Sequence, residues 1–144
     1  MPIQVLLADG DQTSARWLKT ILDREEFNVD IVSSTSAALK RIGQSQPDVF
    51  VTEVNLVDSD GLDMIRRLRG DPTTRDLHII ILSAKGKPEN IVDGLQAGAN
   101  DYIPKRPGAE ADLIGKIRAF IAIRQPGKRN PQPPPEYNPM PGGP

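Results

Sequence analysis

The sequence predicts an α/β fold: a doubly wound parallel sheet built from five βα units, with strand order 2-1-3-4-5 and helices on both faces. Two observations carry this prediction. Five short apolar runs, nearly unbroken by polar residues, read as parallel strands buried on both faces. Each run is followed by apolar residues at helical spacing, and Gly43, Gly70, Pro72 and Gly98 punctuate the ends of those helical segments.

Residues 3–8 form the first strand, ahead of a helix carrying Ala15, Leu18 and Leu22 at i, i+3 and i+7. The second strand, residues 29–32, precedes Ala38, Leu39 and Ile42. The third, residues 49–54, leads to Leu62, Ile65 and Leu68, and the fourth, residues 77–82, to Ile91, Val92 and Leu95. Tyr102 and Ile103 mark the fifth, before Leu113, Ile117, Phe120 and Ile121. Right-handed crossovers turn this alternation into a three-layer sandwich of flavodoxin-like type, whose ligands bind beyond the carboxyl ends of the strands.

Length and composition bound what those ends can do. With 144 residues, the chain holds one ordinary domain, placed at residues 1–124. Residues 125–144 contain eight of the 14 prolines and show no apolar periodicity, so they read as a Pro-rich disordered tail or linker. Lys plus Arg total 18 against 19 Asp plus Glu, which gives no electrostatic pull toward nucleic acid or an anionic membrane. No apolar run has the roughly 20 residues of a membrane span, and the N-terminus lacks a signal-peptide pattern, so a cytoplasmic location is expected. Zero cysteines and a single histidine exclude disulfides, thiolate nucleophiles, Cys-type zinc sites and multi-histidine metal sites.

The strand ends gather acids, a hydroxyl and a lysine. They read Ala8-Asp9-Gly10-Asp11, Thr52-Glu53-Val54-Asn55, Leu82-Ser83-Ala84 and Ile103-Pro104-Lys105. Carboxylates at such a crevice suit a hard cation such as Mg²⁺, and a lysine adds a point charge for phosphoryl oxygens. Each residue also has a plainer reading. Asp9 or Asp11 can cap the first helix, Ser83 can be a turn residue, Lys105 a solvated side chain and His78 an edge or packing residue. Asp58-Ser59-Asp60-Gly61 lacks the remaining ligands of a calcium loop and reads as a turn.

Taken together, these segments resemble the receiver domain of the two-component response-regulator family, over about residues 3 to 123. Val5-Leu6-Leu7-Ala8-Asp9-Gly10-Asp11 is similar to that family's strand-1 acidic cluster, and residues 47–53, Pro47 to Glu53, to the run into its phosphoacceptor. Asp60-Gly61-Leu62, Ile80-Ile81-Leu82-Ser83-Ala84 and the stretch from Gly98 to Lys105 match its further motifs. The resemblance implies a signalling module and not an enzyme. It makes Asp9, Asp11 and the Asn55 carbonyl the Mg²⁺ ligands, Ser83 and Tyr102 the switch residues and Lys105 the phosphate-contacting cation. It implies a histidine kinase or a fused effector as partner, a surface on helix 4, strand 5 and helix 5 for output, and room for a homodimer.

The chain departs from that pattern where the chemistry lies. Glu53 stands at the phosphoacceptor position, its extra methylene displacing the carboxylate in a site sensitive to about 1 Å. Gly10 replaces a metal-binding acid, so Mg²⁺ binding is expected to be weak or lost, with Asp11 as a partial substitute. Arg106 follows the lysine where the family has proline. Without the metal, Lys105 is the counter-charge for Asp9 and Glu53, and Glu53 reaching toward Lys105 and Ser83 imitates part of a phosphoryl group.

The reading is therefore an atypical receiver, a pseudo-receiver acting as a phosphorylation-independent protein-interaction module. Its contact residues would include Ile91, Gln96, Asp101, Tyr102, Arg106, Arg118 and Ile121. The alternatives are a working phosphoacceptor using Glu53 or Asp58, and a small phosphate-ester hydrolase using Asp9, Asp11 and Lys105. In the tail, Pro134-Pro135-Glu136-Tyr137 fits the ligand pattern of WW-type domains, beside the plainer reading as linker.

Overall fold

A computed structural model describes residues 2–124; the Pro-rich segment and its Pro134–Tyr137 motif lie outside the described residues. The chain alternates β1(Ile3–Ala8), α1(Gln12–Arg24), β2(Phe27–Val32), α2(Thr35–Gln44), β3(Val49–Thr52), α3(Gly61–Gly70), β4(His78–Ser83), α4(Pro88–Ala97), β5(Asp101–Pro104) and α5(Ala109–Arg124). The five strands pair in parallel in the order β2-β1-β3-β4-β5. Among the described residues, no helix is long and apolar enough to cross a membrane.

The period-2 alternation of the strands divides the core. Leu6, Ala8, Phe50, Ile79 and Ile81 face one side, where Ala38 and Ile42 of α2, Met64, Ile65 and Leu68 of α3 and Ala97 of α4 complete a single apolar cluster. Val5, Leu7, Val49, Val51, Ile80 and Leu82 fill the opposite face and are equally buried. α1 buries Ala15, Leu18 and Leu22, the residues its spacing predicts, and Leu18 and Leu82 both line one cleft. Residues 1–110 form one compact unit that holds the sheet and α1 to α4; residues from 111 onward belong to a second, in which Leu113 and Ile117 of α5 are buried.

Several boundaries differ from those read in the sequence. β2 begins at Phe27, because residues 27–32 all pair in register with β1. His78 opens β4, pairs with Val49 of β3 and lies before the β5 register begins at Ile80, half-buried at the start of the strand. α2 runs past Gly43 to Gln44. α4 departs most: Val92 and Leu95 are 50% and 45% exposed, and the helix buries Gly94 and Ala97 instead. A Cβ at Gly94 would lie 2.6 Å from the Tyr102 ring and 2.8 Å from Ile81. The aromatic ring from β5 therefore takes the space that a larger side chain on α4 would need.

One side chain ties the lower part of this layer together. Arg69, near the end of α3, donates from Nε to the Gly98 carbonyl (2.8 Å), from one terminal nitrogen to the carbonyls of Arg75 (2.9 Å) and Leu77 (2.6 Å), and from the other to Asn100 Oδ1 (2.9 Å). Asn100 Oδ1 also accepts from the Ile79 amide at 2.8 Å, so the fork reaches the first turn of β4. Gly98 closes α4 with φ of 125°, and a Cβ there would meet Arg69 Cγ at 2.6 Å. Burial lowers the Arg69 pKa, against the opposing charge of Asp76. Arg69→Lys keeps the charge but loses the planar fork, and we expect a stability loss of about 2 kcal/mol by urea denaturation.

Candidate functional site

The sheet ladder carries on for one residue past three strand ends, and those residues are the chemically active ones. The Asp9 amide donates to the Val32 carbonyl (3.0 Å), the Glu53 amide to the Ala8 carbonyl (2.9 Å) and the Lys105 amide to the Ser83 carbonyl (2.7 Å). Register thus brings Asp9, Glu53, Ser83 and Lys105 to one end of the sheet by backbone bonding alone. Asp9, Glu53 and Ser83 are buried, at 4%, 8% and 0% exposure.

A single ammonium holds the two carboxylates. Lys105 Nζ lies 2.8 Å from Asp9 Oδ2 and 3.3 Å from Glu53 Oε2, and donates to Ser14 Oγ at 3.2 Å. Burial works against this charge, but the hydrogen bonds and charges of Asp9 and Glu53 outweigh it and hold the Lys105 pKa above the ordinary lysine value. One lysine balances only one of two acids, so backbone amides meet the remaining negative charge. Asp9 Oδ1 accepts from the Asp11 amide at 2.9 Å, Glu53 Oε1 from the Val54 amide at 2.7 Å and Glu53 Oε2 from the Ala84 amide at 3.1 Å.

Glu53 therefore spans the end of the sheet, from its own strand to the β4–α4 turn. Its partner there is the Ala84 amide; the Ser83 hydroxyl, where the sequence reading aimed it, accepts instead from the Lys85 amide at 3.0 Å. Tyr102 continues the line. Its hydroxyl donates to the Lys85 carbonyl, while its ring lies against Gly94. Burial, and more weakly the charge of Glu53, hold the Tyr102 pKa above that of a free phenol, against a smaller lowering by the Ser83 hydroxyl.

The donor set does not fit an octahedral cation. Asp11 is the N-cap of α1, with Oδ1 accepting from the Thr13 amide (3.0 Å) and the Ser14 amide (3.2 Å). Of the two cap readings offered by the sequence, Asp11 takes the role and Asp9 faces Lys105. Gly10 offers no oxygen from a side chain, and Asp9 shares its outer oxygen with an ammonium. Among the described residues, no cluster of three or more acids or histidines is placed to hold a metal. Mg²⁺ needs several hard oxygens at near-ideal angles, and here the carboxylates of Asp9 and Asp11 are directed to amides and to Lys105, which leaves the Asn55 carbonyl as the remaining expected ligand.

Sequence reasoning missed one constellation. Asp58, read as part of a turn and as an alternative acceptor, has both carboxylate oxygens engaged at the start of α2: with the Thr35 amide (2.7 Å), the Thr35 hydroxyl (2.9 Å) and the Ser36 amide (3.0 Å). The run Ser34-Thr35-Ser36 before an apolar helix was the available signal, since it leaves several amides seeking acceptors.

Comparison with known proteins places this geometry. A family model described as "Response regulator receiver domain" matches residues 5–118. Response regulator MprA of Mycobacterium sp. (strain KMS) is 34% identical over 126 residues, covering 88% of this chain and 54% of that protein. MprA of Mycolicibacterium vanbaalenii is 35% identical over 121 residues, with 84% and 51% covered. The chain thus spans about half the length of the curated relatives it matches. Among solved structures, the receiver domain of the Francisella response regulator 1452 superposes with a TM-score of 0.75 at 29% identity, over 82% of this chain and 95% of that one. The signal receiver domain of a histidine kinase from Syntrophus aciditrophicus gives 0.76 at 25% identity, over 90% and 95%.

Two outcomes follow from the geometry. Lys105→Met leaves two buried carboxylates facing each other without their cation. It should cost about 3 kcal/mol by chemical denaturation, and Glu53→Gln in the same chain should recover part of that loss. The amide bonds of Thr35 and Ser36 pull the Asp58 pKa down to about 2 from its ordinary 3.8. A carboxyl with a lowered folded pKa stabilises above its unfolded pKa and loses that contribution as pH falls through the folded one. A ¹³C titration should place the Asp58 midpoint near 2, with the Thr35 and Ser36 amide signals shifting in the same range.

Proposed function

The chain belongs to the response regulator receiver domain family, and from that premise we propose that it signals without phosphoryl transfer, as a pseudo-receiver that binds a protein partner. The carrying observation is the placement of Glu53. Its carboxylate is engaged with the Val54 and Ala84 amides and with Lys105, the contacts that a transferred group on a shorter side chain would have to make. A nucleophile needs an in-line approach at a set distance, and here the longer side chain is drawn at both oxygens toward the amides and the ammonium that would otherwise receive the transferred group. The extra methylene of glutamate replaces the added group, so one state of the switch is held by a covalent part of the chain.

Lys105 in this reading is the fixed counter-charge, Asp9 its second partner, and Ser83 and Tyr102 the residues that carry the position of the β4–α4 turn outward. The output surface is α4 with β5. Val92 and Leu95 stand exposed there, next to Ile91, Gln96, Asp101 and the half-buried Tyr102, and Arg106, Arg118 and Ile121 are the further residues that the family resemblance names. Exposed apolar residues beside a structured aromatic suit a protein partner. That partner is a histidine kinase, an effector fused in the same polypeptide or a second copy of the chain. Asp58 is a poor second acceptor because both its oxygens brace α2.

The test is direct. Incubation of the full chain with Mg²⁺ and acetyl phosphate, beside a receiver that bears aspartate at the acceptor position, should leave its intact mass unchanged while the control gains one phosphoryl group. Gain of a phosphoryl group on this chain overturns the proposal.

A further inference from the structure

The turn that follows Glu53 is anchored from outside the acidic pocket. Residues 54–60 close on themselves through an antiparallel bridge between Asn55 and Asp60 and through the Leu56 amide, which donates to the Ser59 carbonyl at 3.4 Å. The tip of this turn is then fastened to the start of α2 at three levels. Asp58 accepts the three hydrogen bonds from Thr35 and Ser36; the Ser59 and Thr35 hydroxyls share a hydrogen bond of 2.8 Å; and the Val57 amide donates to the Ser33 carbonyl at 3.2 Å. Thr35 is 8% exposed and forms the buried side of this joint, while Asp58 and Ser59 lie on its solvent side.

This fastening sets the position of Val57, whose side chain is 67% exposed and adds little to the core. What Val57 does occupy is the space beside Gly10 that a side chain there would need. A Cβ built there would lie 3.3 Å from Val57 Cγ1, closer than ordinary van der Waals contact, with the Val57 amide at 3.8 Å and the Ser33 carbonyl at 3.9 Å. A β-branched side chain has few rotamers with which to yield, and its backbone here is held by α2. The residue missing from the acidic cluster and the residue standing over the gap thus face each other.

We propose that Asp58 is the positioning residue of a protein-only latch, tying the turn after β3 to α2 where a receiver with a metal ties that turn to β1 through the ion, and that Val57, carried by the latch, covers the pocket at Gly10. The inference rests on the reading that this chain works without a metal, and deepens it. Loss of the acid at position 10 is coupled to a second structural change, so that adding the carboxylate back is insufficient to rebuild a cation site.

Mn²⁺ alone serves as the probe, read as paramagnetic broadening of backbone amides in the full chain. Gly10→Asp with Val57→Ala should broaden the amides of residues 10, 11 and 55 at a Mn²⁺ concentration at least ten-fold below that needed by Gly10→Asp alone. Equal concentrations, or no broadening in the double variant, overturn the role of Val57. Broadening of the same amides in the unsubstituted chain overturns the metal-free reading instead. A second measurement avoids Gly10 altogether. In Asp58→Ala, hydrogen exchange at the Val57 amide, which bonds to Ser33 and not to Asp58, should accelerate at least ten-fold. Unchanged exchange there reduces Asp58 to a local helix cap and overturns the latch.

Discussion

The contact between one ammonium and two buried carboxylates is the constraint on which the rest of this site depends. Lys105 reaches Asp9 from the end of β5 and Glu53 at the same time, which joins the ends of β1, β3 and β5. Burying two acids with one base leaves an excess negative charge, and a low-dielectric site does not tolerate that without donors. The amides of Asp11, Val54 and Ala84 supply them. Ala84 is the donor with consequences, because it lies on the turn that leads to Lys85, whose carbonyl holds Tyr102. A chain of contacts thus runs from Glu53 through the Ala84 amide and the Lys85 carbonyl to Tyr102 on β5.

Two substitutions at the heart of a family site act here in the same direction. Glutamate at the acceptor position supplies length, and glycine in the acidic cluster removes a charge that would have needed a cation of its own. Had the acid been kept, three carboxylates would share one lysine; its removal brings the cluster within reach of what Lys105 and three amides can balance. Coupling between distant positions is physical when both bias one element with two arrangements; in the proposed reading the β4–α4 turn, which Glu53 reaches through the Ala84 amide, is that element. Gly94 contributes by lacking a Cβ: the Tyr102 ring has a seat on α4 only because nothing else occupies it.

Much of the architecture was legible in the sequence because the strands are buried on both faces and their apolar runs are almost unbroken. The same holds for α1, whose three spaced residues are the three it buries. The candidate site was legible as a set of residues, since a doubly wound sheet collects whatever follows its strands. Their partners were less so. That Glu53 bonds the amide of Ala84 and not the hydroxyl of Ser83 depends on the shape of a turn, which leaves no trace in residue type. The buried face of α4 was misread because periodicity counts apolar side chains, whereas the deciding object is an aromatic ring from a neighbouring strand. Asp58 was hidden for a related reason: its donors lie 22 and 23 residues back in the chain, across a strand and a helix.

The central claim is that Glu53 holds the Ala84 amide of the β4–α4 turn without a transferred phosphoryl group, and hydrogen exchange at that amide measures it most directly. In the full chain, at neutral pH with neither phosphodonor nor divalent cation, the account predicts a protected Ala84 amide whose exchange accelerates at least ten-fold in Glu53→Ala. An Ala84 amide that exchanges equally fast in both would contradict it, because the turn would then owe its position to something other than the glutamate.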